Sequence, residues 1–171
     1  RRFARFDAST VNVGYTHMGG VIGVLVGLEV SDDLKGNPVV AELGLDIGMQ
    51  AAAMRPSYLD KSEVDEATLA KEKEILLAQA KEENAQSAKP KPDAIIEKMV
   101  MGRIGKYYEE NCLLQQAFVK ENKVSVEKHI AEVAKELGGT IKLVKFLRYE
   151  KGEGLAKRED NFAEEVASMA K

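Results

Sequence analysis

Tyr15-Thr-His-Met-Gly-Gly-Val-Ile-Gly-Val-Leu-Val-Gly-Leu-Glu-Val30 is the most informative stretch of this chain. Ile22, Val24, Val26, Leu28 and Val30 alternate without a break, so one face of a strand over 21–30 is fully apolar. The other face carries Val21, Gly23, Leu25, Gly27 and Glu29, and its glycines leave room for close backbone packing. Gly19 and Gly20 supply the positive φ angles that a tight reversal needs. The stretch therefore reads as the turn and second strand of a β-hairpin. Upstream, residues 2–7 and 10–18 read as strands around a short turn at Asp7-Ala8-Ser9, with Val11, Val13, Tyr15 and His17 sharing one face of the second. The three strands predict an antiparallel meander.

Downstream, Asn37-Pro38 is a cap followed by proline in the first turn, a strong helix start. Val40, Leu43, Ile47, Ala51 and Met54 then form one helical stripe that Pro56 stops. From about residue 62 the composition changes. Ser62-Glu63-Val64-Asp65-Glu66 loads acid onto a helix N-terminus, where the backbone dipole favours it. The run to Gln86 has a thin apolar strip of Leu69, Leu76 and Ala80, with Ile75 and Leu77 beside it. Lys89-Pro90-Lys91-Pro92-Asp93 breaks it, and a second helix follows with Ile96, Val100, Ile104 and Tyr107 on one face. Two helices of roughly 20 residues, each about 30 Å long, joined by a short breaker make an antiparallel helical hairpin. Narrow stripes and heavy charge suit a projecting arm.

After Cys112, Ser125 caps a helix carrying Val126, Ile130, Val133 and Leu137, and Gly138-Gly139 ends it. Residues 140–150 read as a strand apolar on both faces, hence an interior one. Asp160 caps a terminal helix with Phe162, Val166 and Met169 inward. The fold class is α+β, an antiparallel sheet packed with helices and carrying an inserted helical hairpin. Its expected divisions are a core subdomain over 1–60 and 111–158, an inserted arm over 61–110, and a C-terminal helix module over 159–171.

The chain has 171 residues, 44% of them hydrophobic, enough for a real core in one medium domain with an appendage. Its net charge of −3 supplies no global field for nucleic acid. The single Cys112 excludes an internal disulfide and any cysteine-based metal site, which suits a reducing cytosol. No run has the length of a membrane span, and no signal peptide is visible. The chain opens Arg-Arg-Phe-Ala-Arg-Phe without Met, as a piece of something longer would.

Candidate chemistry is sparse. The glycines of residues 14–27 match neither the Walker pattern, which needs Gly-Lys-Ser/Thr, nor a Rossmann turn that opens a helix, so direct nucleotide binding is not expected. His17 and His129 are too far apart for a metal signature, and each weighs as a packed or solvated imidazole against a functional one. Cys112 has no nearby His or Asp to activate it. Glu82-Glu83 and Glu109-Glu110 are ordinary charged helix surface, and acids surround Lys89 and Lys91. No cofactor, metal or catalytic set is expected. A hairpin beside a helical arm points to a protein that grips another protein.

His17-Met-Gly19-Gly20-Val-Ile22-Gly23-Val24-Leu25-Val26 resembles the hairpin of the bacterial-type translation elongation factor Ts family. Further stretches appear in the family's order: Asp46-Ile-Gly-Met-Gln50-Ala-Ala-Ala-Met54-Arg-Pro56-Ser-Tyr58, Ile96-Glu97-Lys98-Met99-Val100-Met-Gly102-Arg103, Leu113-Leu-Gln-Gln-Ala-Phe118-Val119, and Phe146-Leu-Arg148-Tyr-Glu150-Lys-Gly152-Glu153-Gly154 running on to Phe162-Ala-Glu-Glu-Val166-Ala. The resemblance covers nearly the whole chain and implies a coiled-coil or dimerisation arm between residues 62 and 110. It implies guanine-nucleotide exchange on elongation factor Tu without bond chemistry, in a bacterial cytoplasm or an organelle. It further implies Tu contacts at His17, Met18, Gly19, Gly20, Phe118, Val119 and Lys120, with Phe162 and Val166 of the terminal helix reaching Tu's nucleotide-binding domain. For Phe118 the alternative is core packing. The family's N-terminal helical module and its Thr-Asp-Phe core half are missing here, since no Thr-Asp-Phe occurs. The expectation is therefore a piece that binds Tu with weak exchange. The rival reading is a homo-oligomeric scaffold associating through residues 62–110.

Overall fold

The structure, a computed structural model, describes residues 3, 5, 6, 9–87 and 90–155. In chain order the elements are β1 (Val11–His17), β2 (Ile22–Val30), α1 (Pro38–Met54), α2 (Glu66–Ala85), α3 (Asp93–Asn111), β3 (Ala117–Phe118), β4 (Glu121–Ser125), α4 (Val126–Leu137) and β5 (Ile141–Glu150). Helices and antiparallel strands make an α+β fold. β1 and β2 pair from Val11↔Leu28 to His17↔Ile22, and the hairpin read from sequence closes through Met18-Gly19-Gly20.

β5 pairs antiparallel with the other side of β2, giving the sheet order β1-β2-β5. Two expectations change here. Phe3, Arg5 and Phe6 carry no strand, and residues 2, 4 and 7 of the strand expected over 2–7 lie outside the described residues. Among the described residues β5 is an edge strand of this sheet, not an interior one. Its apolar residues fall on both faces because the register shifts opposite Gly27/Leu28, where Lys145 and Leu143 are the successive partners and Val144 is the extra residue. Such a bulge inverts the alternation beyond it. Phe146, rather than Leu147, therefore joins Leu143 against the core.

α1 covers the inner face of the hairpin. Asn37 accepts a hydrogen bond from the Val39 amide at 2.9 Å, and Pro38 occupies the first turn, where its missing N–H costs nothing. Val40, Leu43, Ile47 and Ala51 bury against Val24, Val26 and Leu28, whereas Met54 at the end of the stripe is half exposed. The helix sits close to β1. A Cβ added at Gly44 would lie 2.5 Å from Val13 Cγ2, and one at Gly48 would lie 2.7 Å from Tyr15 Cβ.

The helical hairpin has its own small cluster, Ala80 with Ile96 and Val100, flanked by Leu76 and Leu77. α2 begins at residue 66 rather than 62, because Asp65 accepts from the Thr68 amide at 2.8 Å and the preceding 61–63 form a separate short turn. Its two ends leave the core side by side: the Ser57 amide donates to the Asn111 carbonyl at 2.9 Å and the Leu113 amide to the Tyr58 carbonyl at 2.9 Å. At the far end, the Asn84 side chain bonds both the amide (2.6 Å) and the carbonyl (3.0 Å) of Lys91. α4 starts at Ser125, whose Oγ accepts from the Lys128 amide, and ends at Gly138 with φ of 73°. The short β3–β4 pair was not foreseen from sequence. The helix expected from Asp160 onward lies outside the described residues.

Candidate functional site

One end of the sheet carries the His17–Gly20 turn. Three successive residues there have left-handed backbone: Met18 (φ 50°), Gly19 (63°) and Gly20 (90°). Glycine adopts this region freely, but a residue with a Cβ pays about 1–2 kcal/mol. Met18 nevertheless sits there with 68% of its surface exposed, an apolar side chain at the tip of a reversal. His17 lies beside it, half-buried. Its Nδ1 is 3.0 Å from the Tyr15 hydroxyl and the two rings stack at 5.9 Å. Tyr15 in turn rests on Gly48 of α1, so the imidazole is positioned from the helix through one tyrosine.

The β3–β4 turn carries the other expected residues. Phe118 is only 3% exposed and belongs to the core, where it stacks on His129 at 4.2 Å with the rings 16° apart. Val119 and Lys120 are at the surface. The turn is held by Gln50, a fully buried amide that donates to Gln116 Oε1 and the Ala117 carbonyl, each at 3.1 Å, and accepts from the Val119 amide at 2.8 Å. Lys120 Nζ reaches Asp46 at 2.7 Å, a hydrogen bond that raises the ammonium pKa. Gly48 and Gln50 are two residues apart, about 200° around α1. The His17 turn and the β3–β4 turn therefore flank opposite sides of that helix, which holds both. Phe162 and Val166 lie outside the described residues.

A third group was not legible in sequence. Arg55 follows α1 in left-handed conformation (φ 50°), and with Met18 it makes the two non-glycine cases among the described residues. Its Nη2 lies 3.2 and 3.0 Å from the two carboxylate oxygens of Glu150, and Arg148 Nη2 lies 2.8 Å from Glu150 Oε2. Residues so far apart in the chain give no local motif. Cys112, by contrast, is buried at the base of the helical hairpin, where desolvation pushes its thiol pKa up to about 11, the opposite of an activated thiolate. Among the described residues no group of three or more His, Cys, Asp or Glu is placed to hold a metal ion, and no helix is long and apolar enough to cross a membrane.

Among the described residues, then, an α+β module carries a helical hairpin and an exposed glycine turn. The chain belongs to the elongation factor TS family, whose sequence profile it matches over residues 1–153. It is 49% identical over 170 residues to elongation factor Ts of Clostridium botulinum strain Alaska E43, covering 99% of this chain and 53% of that protein. It is 48% identical over 172 residues to elongation factor Ts of Clostridioides difficile strain 630, covering 100% of this chain and 54% of that protein. The chain thus spans about half the length of these curated relatives.

Proposed function

We propose that this chain is the part of an elongation factor Ts that grips elongation factor Tu, and that the whole protein promotes GDP release from Tu during bacterial-type protein synthesis. Family membership supports the partner, and the exposed left-handed Met18 beside the positioned His17 supports the surface. The contact set we assign is His17, Met18, Gly19 and Gly20, with Val119 and Lys120, joined by Phe162 and Val166 of the terminal segment. Phe118 acts from beneath, as a core residue under His129. The whole protein makes and breaks no covalent bond: it holds nucleotide-free Tu more tightly than GDP-bound Tu, and by reciprocity GDP and the factor weaken each other by one common factor. Most of this contact set lies in turns, and turns that meet both forms of Tu alike shift little, so this chain itself binds Tu with weak exchange. We assign the bacterial cytoplasm as its compartment.

The proposed divisions are a core over 1–60 and 111–158, an arm over 61–110 and a terminal module over 159–171. Ile75, Ile95 and Met101, exposed on the helical hairpin, support self-association through the arm as a second interaction. Calorimetric titration of the chain into Tu tests the main reading. Met18→Asp places a charge at the tip without touching the core, and it should weaken the complex at least tenfold at unchanged far-UV circular dichroism. Unchanged affinity would remove the turn from the interface.

A further inference from the structure

A cleft of about 1020 Å³ opens between the β5 edge and the segment that follows α1, with Leu59, Phe146, Arg55, Arg148, Glu150 and Lys151 among its walls. Within it lies an unfinished hydrogen-bond arrangement. The Arg148 side chain is nine-tenths buried, and its Nε–H is buried without a partner among the described residues. Nε and the Nη2 on its side form the edge of a guanidinium that a carboxylate normally fills with two parallel bonds. Here Glu150 fills half of it: Oε2 takes Arg148 Nη2 at 2.8 Å, while both its oxygens also engage Arg55 Nη2. One carboxylate answers two guanidinium groups, and the buried one is left short. Arg55 has the opposite character. Its side chain is 64% exposed, and its backbone sits in a conformation that glycine would occupy with less strain.

We infer that Arg55 is an acid-recognition residue: a carboxylate side chain of Tu takes Arg55 from Glu150, and Glu150 then closes both oxygens onto the Nε and Nη2 of buried Arg148. This rests on the Tu-binding reading and adds a contact to it. The exchange replaces an exposed ion pair, worth little, by a second exposed pair and a completed buried one. Lys151 stands on the same rim, and its amide bonds the Val21 carbonyl at 2.8 Å, so the cleft mouth adjoins the His17–Gly20 turn. A single acidic partner surface can span both.

The test follows the Arg148 Nε–H resonance, identified by its loss in Arg148→Lys, together with affinity for Tu. Arg55→Ala frees Glu150 in the chain alone, so it should move that resonance downfield without Tu, in the same direction as Tu binding moves it in the wild type. The same variant should weaken the complex about tenfold, the value of one charge-assisted hydrogen bond. Lys106→Ala, the same change of charge on the arm, should weaken it less than twofold. Failure of the wild-type chain to bind Tu would overturn both the functional reading and this inference. Wild-type binding with undiminished Arg55→Ala affinity, or an Arg148 resonance unmoved in Arg55→Ala, would overturn the inference alone.

Discussion

Gly48→Ala and Gly105→Ala are the same substitution in the interior of a helix, and the structure assigns them opposite signs. Replacing glycine by alanine in a helix gains about 1 kcal/mol of propensity when nothing else changes. At Gly105, and equally at Gly102, an added Cβ meets no atom within 4 Å, so α3 should gain about that amount. At Gly48 the new methyl would sit 2.7 Å from Tyr15 Cβ, an atom fixed to the β1 backbone that no rotamer change can withdraw. Overpacking of this kind costs about 1–3 kcal/mol. Net of propensity, Gly48→Ala should lose up to about 2 kcal/mol, and the two variants should differ by about 1–3 kcal/mol. Urea unfolding followed by circular dichroism gives the totals, and amide exchange in α1 and α3 separates them, because the arm has its own hydrophobic cluster and can open separately. Displaced Tyr15 should also release the His17 ring. Stabilisation by Gly48→Ala equal to that by Gly105→Ala would refute the close α1–β1 packing on which the placement of His17 depends.

Replacing residues 62–110 with a short Gly/Ser linker should leave the sheet folded, since the bonds of Ser57 and Tyr58 to Asn111 and Leu113 already hold the ends together; loss of cooperative thermal unfolding would count against an inserted arm. Gln50→Ala leaves Gln116 Oε1, the Ala117 carbonyl and the Val119 amide without their partner, and it should cost about 3 kcal/mol in denaturant unfolding while loosening the β3–β4 turn; a cost under 1 kcal/mol would show that water replaces the amide. The Cys112 thiol has a folded pKa of about 11, above its usual range near 8.5, so the folded state holds the proton more tightly. Its contribution is fully present below about pH 8.5 and falls as pH rises toward 11, a slope that Cys112→Ala should remove from stability measured against pH.

The readings that held were those in which one local signal had one structural meaning. Asn37-Pro38, Ser125 and the stripe from Val40 to Ala51 each fix a helix boundary or face by short-range geometry, and Gly19-Gly20 fixes a reversal. Readings failed where the chain had to be known at a distance. Strict alternation from Leu143 would put Leu147 on its face, and the bulge at Val144 puts Phe146 there instead. Apolar residues on both faces of β5 suggested an interior strand, when the second face is set by that bulge and by the cleft beside the edge. At the site, the His17–Gly20 turn was legible because glycine declares its backbone, whereas Met18's left-handed angle was not. Phe118 was ambiguous in sequence, since an aromatic beside an exposed turn reads alike whether it points out or in. The Arg55–Glu150–Arg148 group joins residues from the end of α1 and the end of β5, and nothing in either segment announces the other.

Sedimentation velocity of this 171-residue chain mixed with GDP-bound elongation factor Tu tests the central claim most directly. A single faster boundary containing both proteins is expected, reduced by Met18→Asp and by Arg55→Ala. Two separate boundaries at micromolar concentrations of the wild-type chain would contradict it.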